Sequence, residues 1–352
     1  MKQKIKTMGQ SLFCRSLLIG LVSFSLLLMG CSREPKEQGK FEMPTFSKVK
    51  YIDSEMLNND VEVNNAMDIC CIGSHIAVLS LAKGMWIHLY SKESGIYEGS
   101  LLADSTDIEW PRQMRYDAAN HILSISDLRK PSIVTYEFLE STLELRKTNE
   151  YFFPQRHLQG SLGFMLPNEQ FLVESIVLDE KQTWLTLYNN GNEIIAGNND
   201  HPQDDMMKSA MWDNSRSSVS PSGKHYAIGT LFGGILRLYD IGDNSIGRKY
   251  EGLFIEPKGL PDGFNFSPTE ETTLGFCDVL ATDDKVFGLI INSTKEEGSS
   301  IATWSWDGNP LALYETGNFA LHICEDPADN SLIYAFSFDK DHKFVLEKYS
   351  IK

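Results

Sequence analysis

Short apolar segments recur along this chain, and each one follows a turn residue. Six of them run for seven residues rich in Ile, Val, Leu and Phe, a length and composition typical of β-strands. They occupy residues 74–80, 120–126, 169–175, 224–230, 285–291 and 331–337. A second segment with alternating polarity follows each of them and ends in an aromatic residue. These second segments are residues 86–90, 132–136, 184–188, 235–239, 302–306 and 345–349.

A weaker apolar segment precedes each pair, as at residues 67–72, 217–220 and 321–324, so the unit has three strands and a variable fourth. The unit occurs six times, at intervals of roughly 45–65 residues, which is the pattern of a β-propeller blade. We therefore predict an all-β fold, a six-bladed β-propeller over residues 45–352. One blade cannot bury both faces of its sheet, so neighbouring blades must stack around a central channel. The alternative is that the hairpins form two β-sandwiches.

A propeller ring must also close. The last unit ends at Lys352 directly after its third strand and lacks an outer strand. Residues 49–52 precede the first unit and are placed to supply it, so we expect an N-terminal strand to complete the last blade. Helical periodicity is absent, except for a turn or two near residues 203–212.

The N-terminus has the features of an export signal. Its positive residues are Lys2, Lys4, Lys6 and Arg15. An apolar run of 13 residues follows at 17–29, shorter than the roughly 20 needed to cross a bilayer as a helix. The run ends in Leu28-Met29-Gly30-Cys31-Ser32, which resembles the lipobox of bacterial lipoproteins.

That resemblance implies cleavage before Cys31 and acylation of this residue with palmitate-type chains, which hold a protein stably on a membrane. The alternative is an ordinary secretory signal with a chance cysteine. We expect residues 1–30 to be a signal peptide. The polar residues after Cys31 favour a flexible tether over residues 31–44.

Charge excludes one class of partner. Removing residues 1–30 takes away four cations and moves the formal net charge from −16 to −20. A surface this acidic repels phosphates, so we expect no nucleic-acid partner. The mature chain has four cysteines besides the anchor: Cys70, Cys71, Cys277 and Cys324. In an oxidising compartment these four could pair, but their spacing matches no zinc or redox motif, and adjacent Cys70 and Cys71 should point to opposite faces of a strand. We therefore interpret all four as small buried side chains.

One blade carries a sharper motif. Ser220-Pro221-Ser222-Gly223-Lys224, followed by an apolar strand and then Leu236-Arg237-Leu238-Tyr239-Asp240, resembles the SPDGK repeat of TolB-type propellers, with Ser222 where Asp is usual. The mature region as a whole is similar to the TolB-like six-bladed propeller lipoproteins of Gram-negative bacteria. The resemblance implies a fold and a place in the cell envelope, and we expect the outer membrane. It implies no reaction.

Candidate binding residues lie just ahead of the innermost strands. Ring geometry would gather them at one mouth of the channel: Arg112, Arg156, His157, Arg216, Asp278 and His322. Guanidinium groups there suit an anionic group of a ligand, because they donate two parallel hydrogen bonds. The competing interpretation is that these cations pair with nearby acids such as Asp107, Asp117 and Asp213.

Two classes of function remain. We favour a non-catalytic binding or assembly module that uses one face of the propeller for a protein, peptide or glycan. No common catalytic motif, cofactor fingerprint or metal-binding motif is present, and we expect neither a cofactor nor a bound metal. The acidic stretch at residues 198–205 is interpreted as a solvated loop. The alternative is a hydrolase or lyase at the channel mouth, with a metal held by Asp68, Asp117, Asp278 and Glu325.

Overall fold

All regular elements in the described part of the chain are β-strands. The computed structural model describes residues 41–351 apart from a set of gaps, namely 60, 64, 82–85, 103–106, 155–159, 176–182, 191, 201–214, 263–264 and 292–297. Within those limits no helix is found that is long and apolar enough to cross a membrane. The helical turn expected near residues 203–212 falls in a gap, and the signal peptide, Cys31 and residues 32–40 precede the described part.

The strands form six blades around a central channel, which confirms the six-bladed propeller and makes the β-sandwich alternative wrong. The first two strands, β1 (Val49–Tyr51) and β2 (Ser54–Asn58), join blades built by later parts of the chain. Blades 1 to 3, from the channel outward, are β3 (Ala66–Ile72), β4 (His75–Ser80), β5 (Ile87–Ser91) and β6 (Tyr97–Leu101); β7 (Pro111–Asp117), β8 (Ile122–Asp127), β9 (Ser132–Leu139) and β10 (Glu144–Phe152); and β11 (Leu162–Met165), β12 (Phe171–Glu174), β13 (Leu185–Tyr188) and β14 (Ile194–Asn198).

The second half of the chain repeats this order. Blade 4 is β15 (Ser215–Val219), β16 (His225–Thr230), β17 (Gly234–Gly242) and β18 (Ser245–Ile255), and a hairpin of β19 (Gly259–Asp262) and β20 (Asn265–Pro268) follows it. Blade 5 is β21 (Phe276–Ala281), β22 (Val286–Ile291), β23 (Ser299–Trp304) and β24 (Pro310–Glu315), and blade 6 is β25 (Phe319–Asp326), β26 (Asp329–Phe338) and β27 (Phe344–Ser350). Within each blade these neighbouring strands are antiparallel.

Burial explains why the middle strands are so apolar. Strands β4 and β23 are buried along their whole length, because a neighbouring blade covers each face of the sheet. The outer strand β10 is exposed or half-buried throughout and accordingly carries polar residues. Among the described residues, one apolar cluster fills each of the six interfaces between neighbouring blades.

The aromatic residue near the end of the third strand is a fixed part of this packing. The equivalent residues, each at most 3% exposed, are Tyr90, Tyr136, Tyr188, Tyr239, Trp304 and Tyr349. In blade 5 the repeat therefore ends at Trp304, and the prediction that it ends at Trp306 is wrong. The ring of Trp304 stacks on Phe254 at 5.5 Å between blades 4 and 5, whereas Trp306 lies in the next turn and donates from Nε1 to the carbonyl of Thr282.

An N-terminal strand completes the last blade, as predicted, but it is β2 and not residues 49–52. Strand β2 pairs antiparallel with β27, with Ser54 opposite Tyr349. Strand β1 instead pairs parallel with β24 as a fifth strand of blade 5. The apolar side chains at residues 49–52 led to the prediction that they form the closing strand. In the structure Val49 and Tyr51 are 59% and 62% exposed on the edge of blade 5.

Polar contacts hold β2 in place. The fully buried carboxylate of Glu347, on β27, accepts hydrogen bonds from Ser54, Asn318 and Tyr349. The segment ahead of β1 also contacts the propeller. Phe46 packs edge-on against Trp304 at 5.6 Å, and the Glu42 backbone amide donates to the carbonyl of Leu253.

Candidate functional site

Four of the innermost strands have shifts in their pairing register close to the candidate residues. Strands β3, β7, β21 and β25 each show a register shift near their first residues, and these shifts fall immediately before Asp68, Gln113, Asp278 and His322. Such a bulge bends the strand and redirects side chains. The repeated bulge therefore sets the positions of polar side chains at this end of the channel.

A cavity of about 120 Å³ occupies this end of the channel. We call it the arginine mouth and define it by the charged and titratable residues that line it: Asp68, Arg112, Glu174, Arg216, Asp278 and His322. Blade 3 also contributes Gly160 and Leu162 to its wall. Its size suits a few water molecules or one small polar group of a ligand.

The two guanidinium groups are poorly satisfied by the protein itself. Arg216 donates from Nη1 to the carbonyl of its neighbour Ser215 at 3.2 Å, while its buried Nε has no hydrogen-bond partner among the described residues. Arg112 is influenced by burial and by surrounding charges, but no described residue forms a hydrogen bond or ion pair with it. A buried donor such as the Nε of Arg216 is usually paired, so this group is suited to donate to an acceptor on a bound molecule.

The carboxylates of the mouth are engaged elsewhere. Asp278 accepts from the backbone amides of Val279 and Ile323, both at 2.9 Å, so it joins β21 to β25 in the next blade. Asp68 does the same between blades 1 and 2, with the amides of Ile69 at 2.9 Å and Met114 at 2.7 Å. These two acids are equivalent inter-blade bridges.

The third carboxylate, Glu174, was not predicted. It lies at the end of β12 and accepts from the hydroxyls of Ser217 at 2.6 Å and Tyr226 at 2.8 Å, both in blade 4. A charged residue that ends a fully apolar strand is a signal for such a role. Its partners lie 43 and 52 residues further along the chain, however, and local pattern cannot identify them.

Burial and nearby charges shift the pKa values of the cations and acids of the mouth. The pKa of Arg112 is lowered to about 10, first by burial and then by the nearby charge of Arg216, against the opposing effect of Asp68, Asp278 and Glu174. The pKa of Arg216 is also lowered by burial. Burial, with Asp278 close by, raises the pKa of Asp68 to about 7, and burial raises that of Glu174.

Four of the six predicted binding residues come together: Arg112, Arg216, Asp278 and His322. The Nδ1 of His322 lies 3.6 Å from the Asp278 carboxylate, and both side chains are largely buried. Arg156 and His157 lie outside the described residues, as does Asp213.

The pairing with local acids that competed with this interpretation is not observed in the described part. Asp107 forms an ion pair with Lys147 at 3.1 Å, and Asp117 accepts from the amide of Ala119 in its own turn. Within the acidic stretch 198–205, Asp200 forms an ion pair with Arg248 at 3.3 Å, while residues 201–205 fall in a gap.

The four acids considered for a metal do not converge. Asp68 and Asp278 line both the arginine mouth and a second cavity further along the channel, and Glu325 lines only that second cavity. Asp117, the last residue of β7, lines neither cavity and accepts from the amide of Ala119 in the turn that follows. Over the residues that the structure describes, no group of three or more His, Cys, Asp or Glu side chains is arranged to hold a metal ion.

The opposite end of the channel is a second cavity of about 170 Å³. It is lined by Cys70, Cys71, Cys324 and Glu325, and we call it the cysteine mouth. Arg115 closes one side of it by donating to the backbone carbonyls of Met165, Ser220 and Pro221, so this arginine connects blade 2 to blades 3 and 4. Burial raises the pKa of Glu325 to about 7.

Comparison with known proteins supports the fold and leaves the activity open. The sequence matches no protein-family model and no curated protein sequence. Three solved structures resemble the whole ring: a candidate exported protein from Bacteroides fragilis NCTC 9343 (12% identity, TM-score 0.52, covering 87% of this chain and 99% of that one), the β-propeller domain of Cps50 (Swd1) from Myceliophteria thermophila (9%, 0.51, 85% and 100%), and a candidate gluconolactonase (8%, 0.51, 85% and 92%). At these identities the likeness shows a β-propeller and nothing about substrate or partner.

Proposed function

We propose that this chain is an envelope-anchored binding protein that receives a carboxylate of a protein or peptide partner between Arg112 and Arg216. The observation that carries the proposal is that Arg112 and Arg216 line one cavity, in which the Nε of Arg216 is buried without a hydrogen-bond partner among the described residues. A carboxylate with two acceptor oxygens matches the planar fork of a guanidinium group.

The surroundings favour an anion from outside the protein. The carboxylates of Asp68, Asp278 and Glu174 use their oxygens for bonds to backbone amides and hydroxyls of the propeller itself. They lower the local positive potential without satisfying the guanidinium donors. Elsewhere the acidic surface of the mature chain repels anions, whereas the mouth presents two guanidinium groups as hydrogen-bond donors.

The envelope address rests on the lipobox-like Leu28–Ser32 segment and on the TolB-like Ser220–Lys224 motif. We expect wild-type protein to partition into detergent and the Cys31→Ser variant to stay in the aqueous phase as a folded protein. Retention of the variant in detergent contradicts lipidation at Cys31. The metal-dependent hydrolase alternative is not part of the proposal, because in the described part of the chain no group of three or more His, Cys, Asp or Glu side chains is arranged to hold a metal ion.

The test compares small probes by their charge. Acetate, succinate and a tripeptide with a free C-terminus should raise the melting temperature of the wild-type protein, whereas the same tripeptide with an amidated C-terminus should not. The double variant Arg112→Gln/Arg216→Gln should lose at least about tenfold in affinity, since each charged hydrogen bond is worth roughly 1.5–3 kcal/mol. Sulfate and an acidic oligosaccharide, measured alongside, show whether another class of anion is preferred.

The matched control is Arg129→Gln. Arg129 is 61% exposed and forms an ion pair with Glu109 at 3.4 Å. Its substitution therefore removes one positive charge from the surface and leaves the arginine mouth intact. Equal carboxylate binding by the double variant and the wild type would mean that these arginines are structural.

A further inference from the structure

The cysteine mouth holds a pair of thiols at the seam of the ring. Cys71 on β3 and Cys324 on β25 are free and buried, and their Sγ atoms lie 3.8 Å apart. The two strands are the innermost strands of blades 1 and 6, and they contact each other along the channel. A chain separation of 253 residues explains why sequence spacing gave no sign of this pair.

The other two cysteines are placed differently. Cys70 points to the opposite side of β3, into the core between blades 1 and 2, while Cys71 faces the core between blades 6 and 1. This confirms the expected divergence of the adjacent pair. Cys277 donates to the backbone carbonyls of Leu289 at 3.4 Å and Ala320 at 3.7 Å, in the core between blades 5 and 6. Only Cys71 and Cys324 have their sulfur atoms in contact within the described residues.

We propose that Cys71 and Cys324 form a disulfide in the exported protein and thereby lock blade 6 to blade 1. The inference rests on the envelope address proposed above, since a disulfide persists in an oxidising compartment. The sulfur atoms must approach by somewhat under 2 Å to reach the bonded distance of about 2.05 Å, a change that side-chain rotation and small strand shifts supply.

The chemistry is thiol–disulfide exchange with a disulfide-bearing oxidoreductase of the compartment. One cysteine thiolate attacks a sulfur of the donor disulfide, forms a mixed disulfide and releases the other donor sulfur as a thiolate. The second cysteine thiolate then attacks the mixed disulfide at the chain's own sulfur, which forms the Cys71–Cys324 bond and releases the donor. The donor gains two electrons, and the two protons of the chain's thiols end on the donor's two sulfurs.

Burial determines when this reaction takes place. The pKa of Cys324 lies well above its ordinary value, first because of burial and then because of the hydrogen bond with Cys71, so the folded ring holds little thiolate. Exchange is therefore expected while blade 6 is still docking and β2 has not yet closed the ring. The resulting link limits opening of the seam after folding.

The test uses full-length protein exported by its own signal and extracted from the envelope fraction, with free thiols alkylated during denaturation and no reductant. Peptide mass spectrometry should find Cys71 joined to Cys324, with Cys70 and Cys277 alkylated. Reductant should lower the melting temperature of wild type by roughly 5–15 °C, because the link constrains a long loop of the unfolded chain.

Variants separate the pair from its neighbours. Cys71→Ala/Cys324→Ala should show no reductant effect, while Cys70→Ala and Cys277→Ala should keep the wild-type effect. Alkylated Cys71 and Cys324 in protein from the envelope fraction overturn the proposal, and so does a reductant effect that persists in Cys71→Ala/Cys324→Ala. Recovery of the protein outside the envelope fraction would overturn the proposed envelope location and not the disulfide. Carboxylate binding by the arginine mouth is measured in a separate experiment and does not depend on either result.

Discussion

Asp278 offers the most direct test of how the ring holds its channel open. Its carboxylate accepts from the amides of Val279 and Ile323, and both of these residues are only 3% exposed. In Asp278→Ala, two buried N–H groups lose their acceptor, at about 1–3 kcal/mol each, so the free energy of unfolding should fall by about 2–6 kcal/mol. Asp278→Asn keeps one acceptor oxygen and should lose about half as much.

Urea titration followed by tryptophan fluorescence measures these changes, and Asp117→Ala is the matched control. Asp117 also lies on an innermost strand, as the last residue of β7, but among the described residues its carboxylate accepts hydrogen bonds from Ala119 and Asn120 in the exposed turn that follows. That control should cost under about 1 kcal/mol. If Asp278→Ala lies within about 0.5 kcal/mol of wild type, the carboxylate is not an inter-blade bridge.

A second measurement on the same variant has the opposite sign. Asp278 is one of the acids that offset the positive charge of Arg112 and Arg216. Its removal should therefore increase affinity for acetate while it lowers stability. A variant that binds acetate less tightly would show that Asp278 supports the site by positioning the arginines and not by its charge.

Two further predictions concern closure and pH. Removing residues up to Lys40 should leave the melting temperature unchanged. Removal up to Asn59 takes away β2 and should lower the free energy of unfolding by about 3–5 kcal/mol, because blade 6 then has an unpaired edge and Glu347 loses its hydrogen bond from Ser54. Equal melting temperatures of the two truncations would contradict closure by β2. The pKa of Asp68 is raised from 3.8 to about 7, so between these values the folded protein holds a proton that the unfolded chain releases. The free energy of unfolding should therefore fall as pH rises from about 4 to 7, by up to about 1.4 kcal/mol per pH unit. Glu325 contributes with the same sign, and chemical unfolding across this range should show a shallower slope in both Asp68→Asn and Glu325→Gln.

The repeated strands were predictable because burial on both faces demands continuous apolar runs. Strand β4, for example, reads HIAVLS and is buried throughout. The sequence predicted that an N-terminal strand must close the ring, but it did not identify which residues form that strand. Strand β2 reads SEMLN and is exposed or half-buried at every position, so its hydrophobic pattern is weak. Its register depends on a distant partner, Glu347, which no local pattern reveals.

The residues of the arginine mouth were predictable to the extent that they share one position in the repeat. Arg112 and Arg216 both lie where a blade enters its innermost strand, and the ring brings them to one mouth. What each side chain contacts there was not predictable. Asp68 and Asp278 were considered as metal ligands, yet they bind backbone amides of the next blade. That outcome depends on inter-blade spacing, which only the assembled ring defines.

This division of roles has a consequence for binding. If the acids of the mouth were paired with the arginines, an incoming carboxylate would have to break those ion pairs before it could bind. Because Asp68 and Asp278 accept from backbone amides, an incoming carboxylate does not have to displace them from the guanidinium groups. Desolvation lowers the pKa of Arg112 to about 10, so keeping it charged in this cavity costs folding free energy that a bound anion would recover.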